Sequence, residues 1–174
     1  MSIISPQFCP LCGTRLETIR FDGRERAYCA PCDRPIFHIP SPSAGVAVVR
    51  DEQILLIERK GSYAGKWAIP GGVIEWEERP ERAAVRELAE ETGLSVDPGD
   101  IELLSASRNE SRDGRISSIK LNYATEFLET DGELRTGPDV ADARFWRMDE
   151  LDTDAIALRP GARSRIIEAF EHAS

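Results

Sequence analysis

Apolar runs separated by Gly, Pro and acidic turns organise the chain from residue 44 onward. Ala44–Arg50 (AGVAVVR) and Gln53–Arg59 (QILLIER) are β-branched runs split by Asp51-Glu52, which predicts a hairpin. Gly61–Gly65 reads as a loop. Trp67–Pro70 reads as a short strand leading into Gly71-Gly72, where absent side chains permit a sharp turn and a close approach to a ligand. The period then changes. Pro80 suits a first helical position and Gly93 the position just past a helix end. Between them Glu87, Glu90 and Glu91 lie at i, i+3 and i+4 and share one face, while Val85, Leu88 and Ala89 project toward a sheet. The expected N-cap is Arg79, a poor capper, which costs about 1 kcal/mol. Ile101–Ser107, Ile116–Phe127 and Ala143–Met148 read as further strands, with polar turns around Asp113-Gly114 and Asp131-Gly132. From Pro160 to about His172 an amphipathic helix is predicted, with Ala162, Ile166, Ile167 and Phe170 on one face. Strands split by one helix and closed by another give an α/β protein, an α/β/α sandwich on a mixed sheet.

The first 40 residues follow a different rule. All four cysteines sit there, as Cys9-Pro-Leu-Cys12 and Cys29-Ala-Pro-Cys32, a C-x2-C-x16-C-x2-C spacing that reads as a zinc site. Four thiolates close a tetrahedral shell, so the zinc would be structural. Some 30 residues cannot bury a core alone, so the metal must supply most of this module's stability. A disulfide pairing needs an exporting signal, and MSIISPQFCP has neither a basic n-region nor an apolar h-region, which predicts a cytoplasmic location. His38 is expected in packing or the linker. Ile39–Ser43 reads as that linker, since X-Pro steps force extended chain. The expected division is a zinc ribbon over 1–40 and a catalytic domain over 41–174.

Charge narrows the partners. A formal net charge of −9 argues against non-specific contact with nucleic acid or an anionic membrane. No apolar run approaches membrane-spanning length. Lysine occurs only at 60, 66 and 120, an imbalance that either salt adaptation or codon bias would produce.

Three ionised carboxylates on one helical turn repel one another. A solvated acidic face is one resolution; a hard divalent cation is the other, and oxygen ligation suits Mg²⁺ or Mn²⁺ rather than zinc. With only His38 and His172 in the chain and the cysteines assigned to zinc, glutamate must carry any proton transfer.

The wider stretch decides between the two. Gly72, Glu78, Arg86, Glu87, Leu88, Glu90, Glu91, Gly93 and Leu94 match G-x5-E-x7-R-E-U-x-E-E-x-G-U, with U aliphatic. Chance would supply such a match on the order of once in a million. The stretch resembles the Nudix box, the signature of the Nudix hydrolases. That resemblance implies the α/β/α sandwich and hydrolysis of the diphosphate bond in a nucleoside diphosphate linked to another group. It also implies that Glu87, Glu90 and Glu91 hold Mg²⁺ or Mn²⁺, with Glu78 an outer acid and Arg86 orienting the glutamates by ion pairing. A further acid from later in the chain often joins such sites. Asp139-Val-Ala-Asp142-Ala-Arg-Phe-Trp146 resembles the family's lead-in to a late strand, so Asp139 is the candidate and Asp142 the reserve. Glu77 stands where a glycine is frequent in the family.

Expected substrate contacts are the Gly71 and Gly72 backbone, with Arg59, Arg108 and Arg112 on phosphates. Trp76, Tyr63 or Tyr123 could stack on a base; Trp67 is expected in the core. A four-cysteine ribbon ahead of such a domain is similar to the branch that includes NADH pyrophosphatases. That branch carries S-Q-P-W-P-F-P-x-S after the box, and Ser105–Ser118 hold no such motif. The expected substrate is therefore a small nucleotide, ADP-ribose-like or an adenine dinucleotide. Two alternatives stand beside it: a house-cleaning nucleoside triphosphate pyrophosphohydrolase, and a nucleotide sensor whose ribbon contacts a partner or braces a homodimer.

Overall fold

The paired β-branched runs form the hairpin their pattern predicts, and the rest of the larger unit is built outward from it. The computed structural model describes residues 6–110, 117–152 and 156–173. The turn predicted at Asp113-Gly114 and the candidate Arg112 lie outside them. The chain divides into two compact units, one of Met1–Pro40 with Glu110–Ser117 and the other of Ser41–Asn109 with Ser118–Ser174.

The first unit is a three-stranded antiparallel sheet of β1 (Glu17–Phe21), β2 (Arg24–Cys29) and β3 (Arg34–Ile36). The β1–β2 turn is Asp22-Gly23, both left-handed at φ 50° and 74°. Such a turn needs Asp, Asn or Gly, whose side chains tolerate positive φ. Cys9 and Cys29 are the only buried residues described in this unit. Its interior is thus made of sulfur rather than hydrocarbon.

The second unit opens with β4 (Ser41–Arg50) and β5 (Gln53–Arg59), followed by β6 (Trp67–Ala68) and β7 (Gly71–Val73). Helix α1 (Pro80–Thr92) comes next, then β8 (Leu94–Ser95), β9 (Glu102–Glu110) and β10 (Ser117–Glu126). β11 (Asp131–Gly132), β12 (Val140–Arg147) and α2 (Ala162–Ala173) complete it. The main sheet has the order β12-β5-β4-β10-β9, with β6 on β5 and β7 on β4. β4 and β10 run parallel, with Lys120 opposite Ser43 and Tyr123 opposite Val46; β4 and β7 run antiparallel, with Gly45 opposite Gly71.

Two apolar clusters cover the two faces. Ala44, Val46, Val48, Leu55 and Tyr123 pack with Ala83, Ala84 and Leu88 of α1. Ala47, Val49, Ile54, Leu56, Ala124 and Trp146 pack with Ala162, Ile166 and Ala169 of α2. β4 supplies alternate residues to each cluster, as a strand buried on both faces must. Trp67 is in this core, edge-on to Trp146 at 5.0 Å between centroids. Among the described residues no helix is long and apolar enough to cross a membrane.

Several expectations need correction. Ser41–Ser43 are not linker: they open β4 and pair with both β10 and β7. Extended X-Pro backbone is strand-like, so composition alone did not distinguish the two. Arg108–Glu110 belong to β9 rather than to a turn, and Asp131-Gly132 pair with Leu94-Ser95 as a short ladder. On α1 the core side carries Ala83, Ala84, Leu88, Glu91 and Thr92, whereas Ala89 is exposed. On α2 the buried set is Ala162, Arg165, Ile166 and Ala169; Ile167 faces outward. Each helix is rotated from its apolar pattern toward a stripe that includes a charged residue, Glu91 or Arg165.

Candidate active site

Helix α1 is bounded as its sequence directs. Pro80 occupies its first turn, and Gly93 ends it in the left-handed conformation at φ 73°, its N–H donating to the Ala89 carbonyl at 3.0 Å. Arg79 makes no side-chain cap. Glu77, the residue standing where glycine is frequent, has φ 72°. The loop therefore adopts the backbone that glycine would take without strain.

The helix presents its glutamates to the Gly71-Gly72 turn. Glu91, 7% exposed, accepts the Gly71 N–H at 2.8 Å and is ion-paired with Arg59. The same guanidinium donates to the Gly71 carbonyl at 2.7 Å and lies 3.9 Å from Glu87. A side chain at Gly72 would overlap the Glu87 carboxylate, so glycine is required for that approach. Arg86 is the other organiser. It grips Glu78 through two bonds of 2.8 and 2.9 Å, and reaches Glu87 at 2.9 Å, Glu90 at 3.3 Å and the Val73 carbonyl at 3.0 Å. The bidentate Arg86 contact holds the Glu78 carboxyl below its usual range. Burial pushes Glu91 the other way, against Arg59 and the Gly71 N–H.

The charges do not cancel. Glu78, Glu87, Glu90 and Glu91 meet Arg59 and Arg86, which leaves two negative charges. Oxygen donors with that surplus fit a hard divalent cation. Among the described residues, however, no three carboxylates have oxygens within 4.8 Å of one another, because the guanidiniums lie between them. Asp139 is exposed in the turn before β12, where its carbonyl accepts the Lys60 N–H at 2.9 Å. That turn abuts the end of α1 through the Gly137 N–H, 3.0 Å from the Glu91 carbonyl. Asp142 instead caps its own neighbour, accepting the Ala143 N–H at 2.8 Å. Arg108 is exposed on β9, Trp76 is 91% exposed beside the box loop, Tyr63 is exposed, and Tyr123 is buried under α1.

A cationic group lies on the other side of Gly71, and the motif reading overlooked it. Lys120 reaches across β4 where Gly45 has no side chain: a methyl group on Gly45 would sit 2.7 Å from both Cε and Nζ. One on Gly71 would lie 3.0 Å from the same Nζ. Arg165, 8% exposed, donates to Asn109 at 2.9 Å, while its Nε is buried without a partner. Arg159 stacks on Tyr63 at 4.0 Å. Two signals were available in the sequence: a glycine within an apolar strand run, which often marks a close approach, and a lysine at an inward position of β10.

In the first unit, the Sγ atoms of Cys9, Cys12, Cys29 and Cys32 all lie within 4.8 Å of one another, with Cys9–Cys32 at 4.0 Å and Cys12–Cys29 at 3.5 Å. A tetrahedral zinc about 2.3 Å from each sulfur sets that spacing near 3.8 Å. No disulfide joins them. Hydrogen bonds from Thr14 hold the Cys12 thiol down at about 6, which favours the ligating thiolate. His38 is not part of the cluster.

Comparison with known proteins sets these features in context. The NUDIX domain family matches residues 40–170. An ADP-ribose pyrophosphatase of Methanocaldococcus jannaschii is 35% identical over 113 residues, 64% of this chain and 64% of that protein. The NAD-capped RNA hydrolase NudC of Pseudomonas putida is 37% identical over 91 residues, covering 52% of this chain and 32% of that protein. The chain thus spans less than two thirds of the length of these curated relatives. The crystal structure of a MutT NUDIX hydrolase from Burkholderia pseudomallei superposes with a TM-score of 0.66 at 30% identity, over 75% of this chain and 98% of that one.

Proposed function

The chain belongs to the NUDIX family, and from that premise we propose that it hydrolyses the diphosphate bond of a nucleoside diphosphate derivative, ADP-ribose-like or an adenine dinucleotide. The observation that carries this reading is the pair of uncompensated negative charges that α1 sets beside the Gly71-Gly72 turn. Glu87, Glu90 and Glu91 would hold Mg²⁺ or Mn²⁺, with Asp139 offering a further oxygen. Bound there, the cation would polarise phosphoryl oxygens and lower the pKa of a coordinated water. Arg86 keeps the glutamates oriented through its four carboxylate contacts. Glutamate would accept the proton during attack, since neither histidine of the chain lies near the box. Arg59, already bonded to the Gly71 carbonyl, is placed to exchange a glutamate for a substrate phosphate. The cysteine cluster would hold a structural zinc, and four free thiols suit a reducing compartment such as the cytoplasm.

Incubation with Mg²⁺ and a panel of nucleotides tests the reading. ADP-ribose yielding AMP and ribose phosphate is the expected outcome. A nucleoside triphosphate hydrolysed to monophosphate and pyrophosphate, with no turnover of ADP-ribose, would replace it with the house-cleaning reading. Binding without turnover would replace it with the sensor. The panel should include an NAD-capped RNA, which the net charge of −9 disfavours.

A further inference from the structure

We infer that Lys120, with Arg159 and Arg165 behind it, forms an anion subsite that receives the substrate's phosphate chain on the side of Gly71 opposite the box glutamates. The inference deepens the proposed hydrolase reading and names Lys120 as a substrate-contacting residue of that site.

Charge is the first ground. Arg165, Arg159 and Arg59 act on Lys120 electrostatically, and against them Glu91 pulls the other way while itself paired with Arg59. Among the described residues none of Lys120, Arg159 and Arg165 makes an ion pair. Glu168 acts on Arg165 from within α2, and its carboxylate accepts the Ser105 hydroxyl at 2.7 Å. Arg159 and Arg165 against Glu168 leave a net positive charge, to which Lys120 adds whenever it is protonated. Like charges gathered in a half-buried region repel one another and lose hydration, a cost that a bound anion lowers while keeping the lysine charged. Burial, then Arg165, push the Lys120 ammonium down to about 7, with Glu91 pulling the other way.

Construction is the second ground. A side chain at position 45 would overlap the Pro70 carbonyl and meet the end of Lys120, whose ammonium lies beside Gly71. The Gly71 N–H and carbonyl are bonded to Glu91 and Arg59. One glycine therefore separates surplus negative charge from surplus positive charge. A divalent cation matches the first and a diphosphate the second. The unpartnered Nε of Arg165, buried on a residue 8% exposed, supplies a donor with no acceptor within the described protein. Asn109 orients that guanidinium and Tyr63 supports Arg159, so both are held in place before any ligand arrives. Charge alone is met by any phosphate group; the class is a nucleotide diphosphate because the subsite lies beside the site proposed for diphosphate hydrolysis.

The test uses the full zinc-loaded chain without added Mg²⁺, titrated calorimetrically with inorganic pyrophosphate. The parent should bind. Lys120→Met and Arg165→Met should each weaken binding about tenfold or more, as loss of a charge-assisted contact does, and Lys120→Arg should recover most of the loss. Glu91→Gln should bind at least as well as the parent. With whichever nucleotide is turned over, Lys120→Met should raise KM more than it lowers kcat. Parent-like pyrophosphate binding by a folded Lys120→Met variant, or no binding by the parent, would overturn the subsite. Failure of the hydrolase reading shows separately, as absence of turnover across the panel while Lys120-dependent pyrophosphate binding persists.

Discussion

In the first unit four sulfurs already stand within 4.8 Å of one another, while in the second the box carboxylates are kept apart by Arg59 and Arg86. Among the described residues of the first unit, only Cys9 and Cys29 are buried. The second sits on a sheet whose two faces each have an apolar cluster. A metal in the first place would be part of the fold; a metal in the second would be part of the chemistry. The two arginines offset part of the repulsion among the four glutamates. Thiols cannot be stabilised in that way, because they must lose protons to bind.

Perturbing the glutamates should separate chemistry from fold most sharply. Glu91→Gln should lower turnover roughly a thousandfold, since general-base and metal-ligand losses fall in that range. Its circular dichroism should stay that of the parent; a variant within tenfold of parent turnover would remove Glu91 from the site. Next in size is the cysteine cluster. Cys29→Ser should abolish stoichiometric zinc, measured by metal analysis, and unfold β1–β3 in amide exchange spectra while β4 and β10 stay protected. A zinc-free protein with β1–β3 intact would show that sulfur packing alone sustains the unit.

A third measurement brings in the cationic side. Lys120 titrates near 7 in the folded chain against 10.5 for an ordinary lysine. The unfolded chain therefore binds more protons between those values, and parent stability rises with pH across that window. Lys120→Met should thus be more stable than the parent, with its full advantage below about pH 7 and a shrinking one toward 10.5. Denaturant midpoints at pH 6 and pH 9 read this directly, and an advantage that grew with pH would contradict it. The smallest effect concerns only helix α1. Arg79→Ser should supply the missing cap and add about 1 kcal/mol to stability without altering kcat.

Much of the box could be read along the chain. The spacing of Glu87, Glu90 and Glu91, the Pro80 start and the Gly93 stop depend on helical geometry within a dozen residues, and each is found where the pattern puts it. The cysteine pairs behave likewise, with two tight turns and a sheet returning them to one point. Misreadings arose where two backbones look alike or where a face was inferred from apolarity. Extended Ser41-Pro42-Ser43 passed for linker, and Ala89 was placed inward although the stripe that packs includes Glu91 and Thr92. An inward glutamate has no signature in a hydrophobic pattern, because burial there is set by the Gly71 N–H and Arg59 that meet it.

The amino-acid order alone determined the helix that carries the carboxylates, the four-thiol spacing, and the chemistry these residue types support. Short-range backbone periodicity settles such features before any long-range contact forms. Only the tertiary structure brought Lys120 to Gly71, through the parallel pairing of β10 with β4 and the antiparallel pairing of β7 with β4. Register between distant strands is chosen by burying both faces of the sheet at once, and no local pattern around Lys120, Gly45 or Gly71 contains that choice.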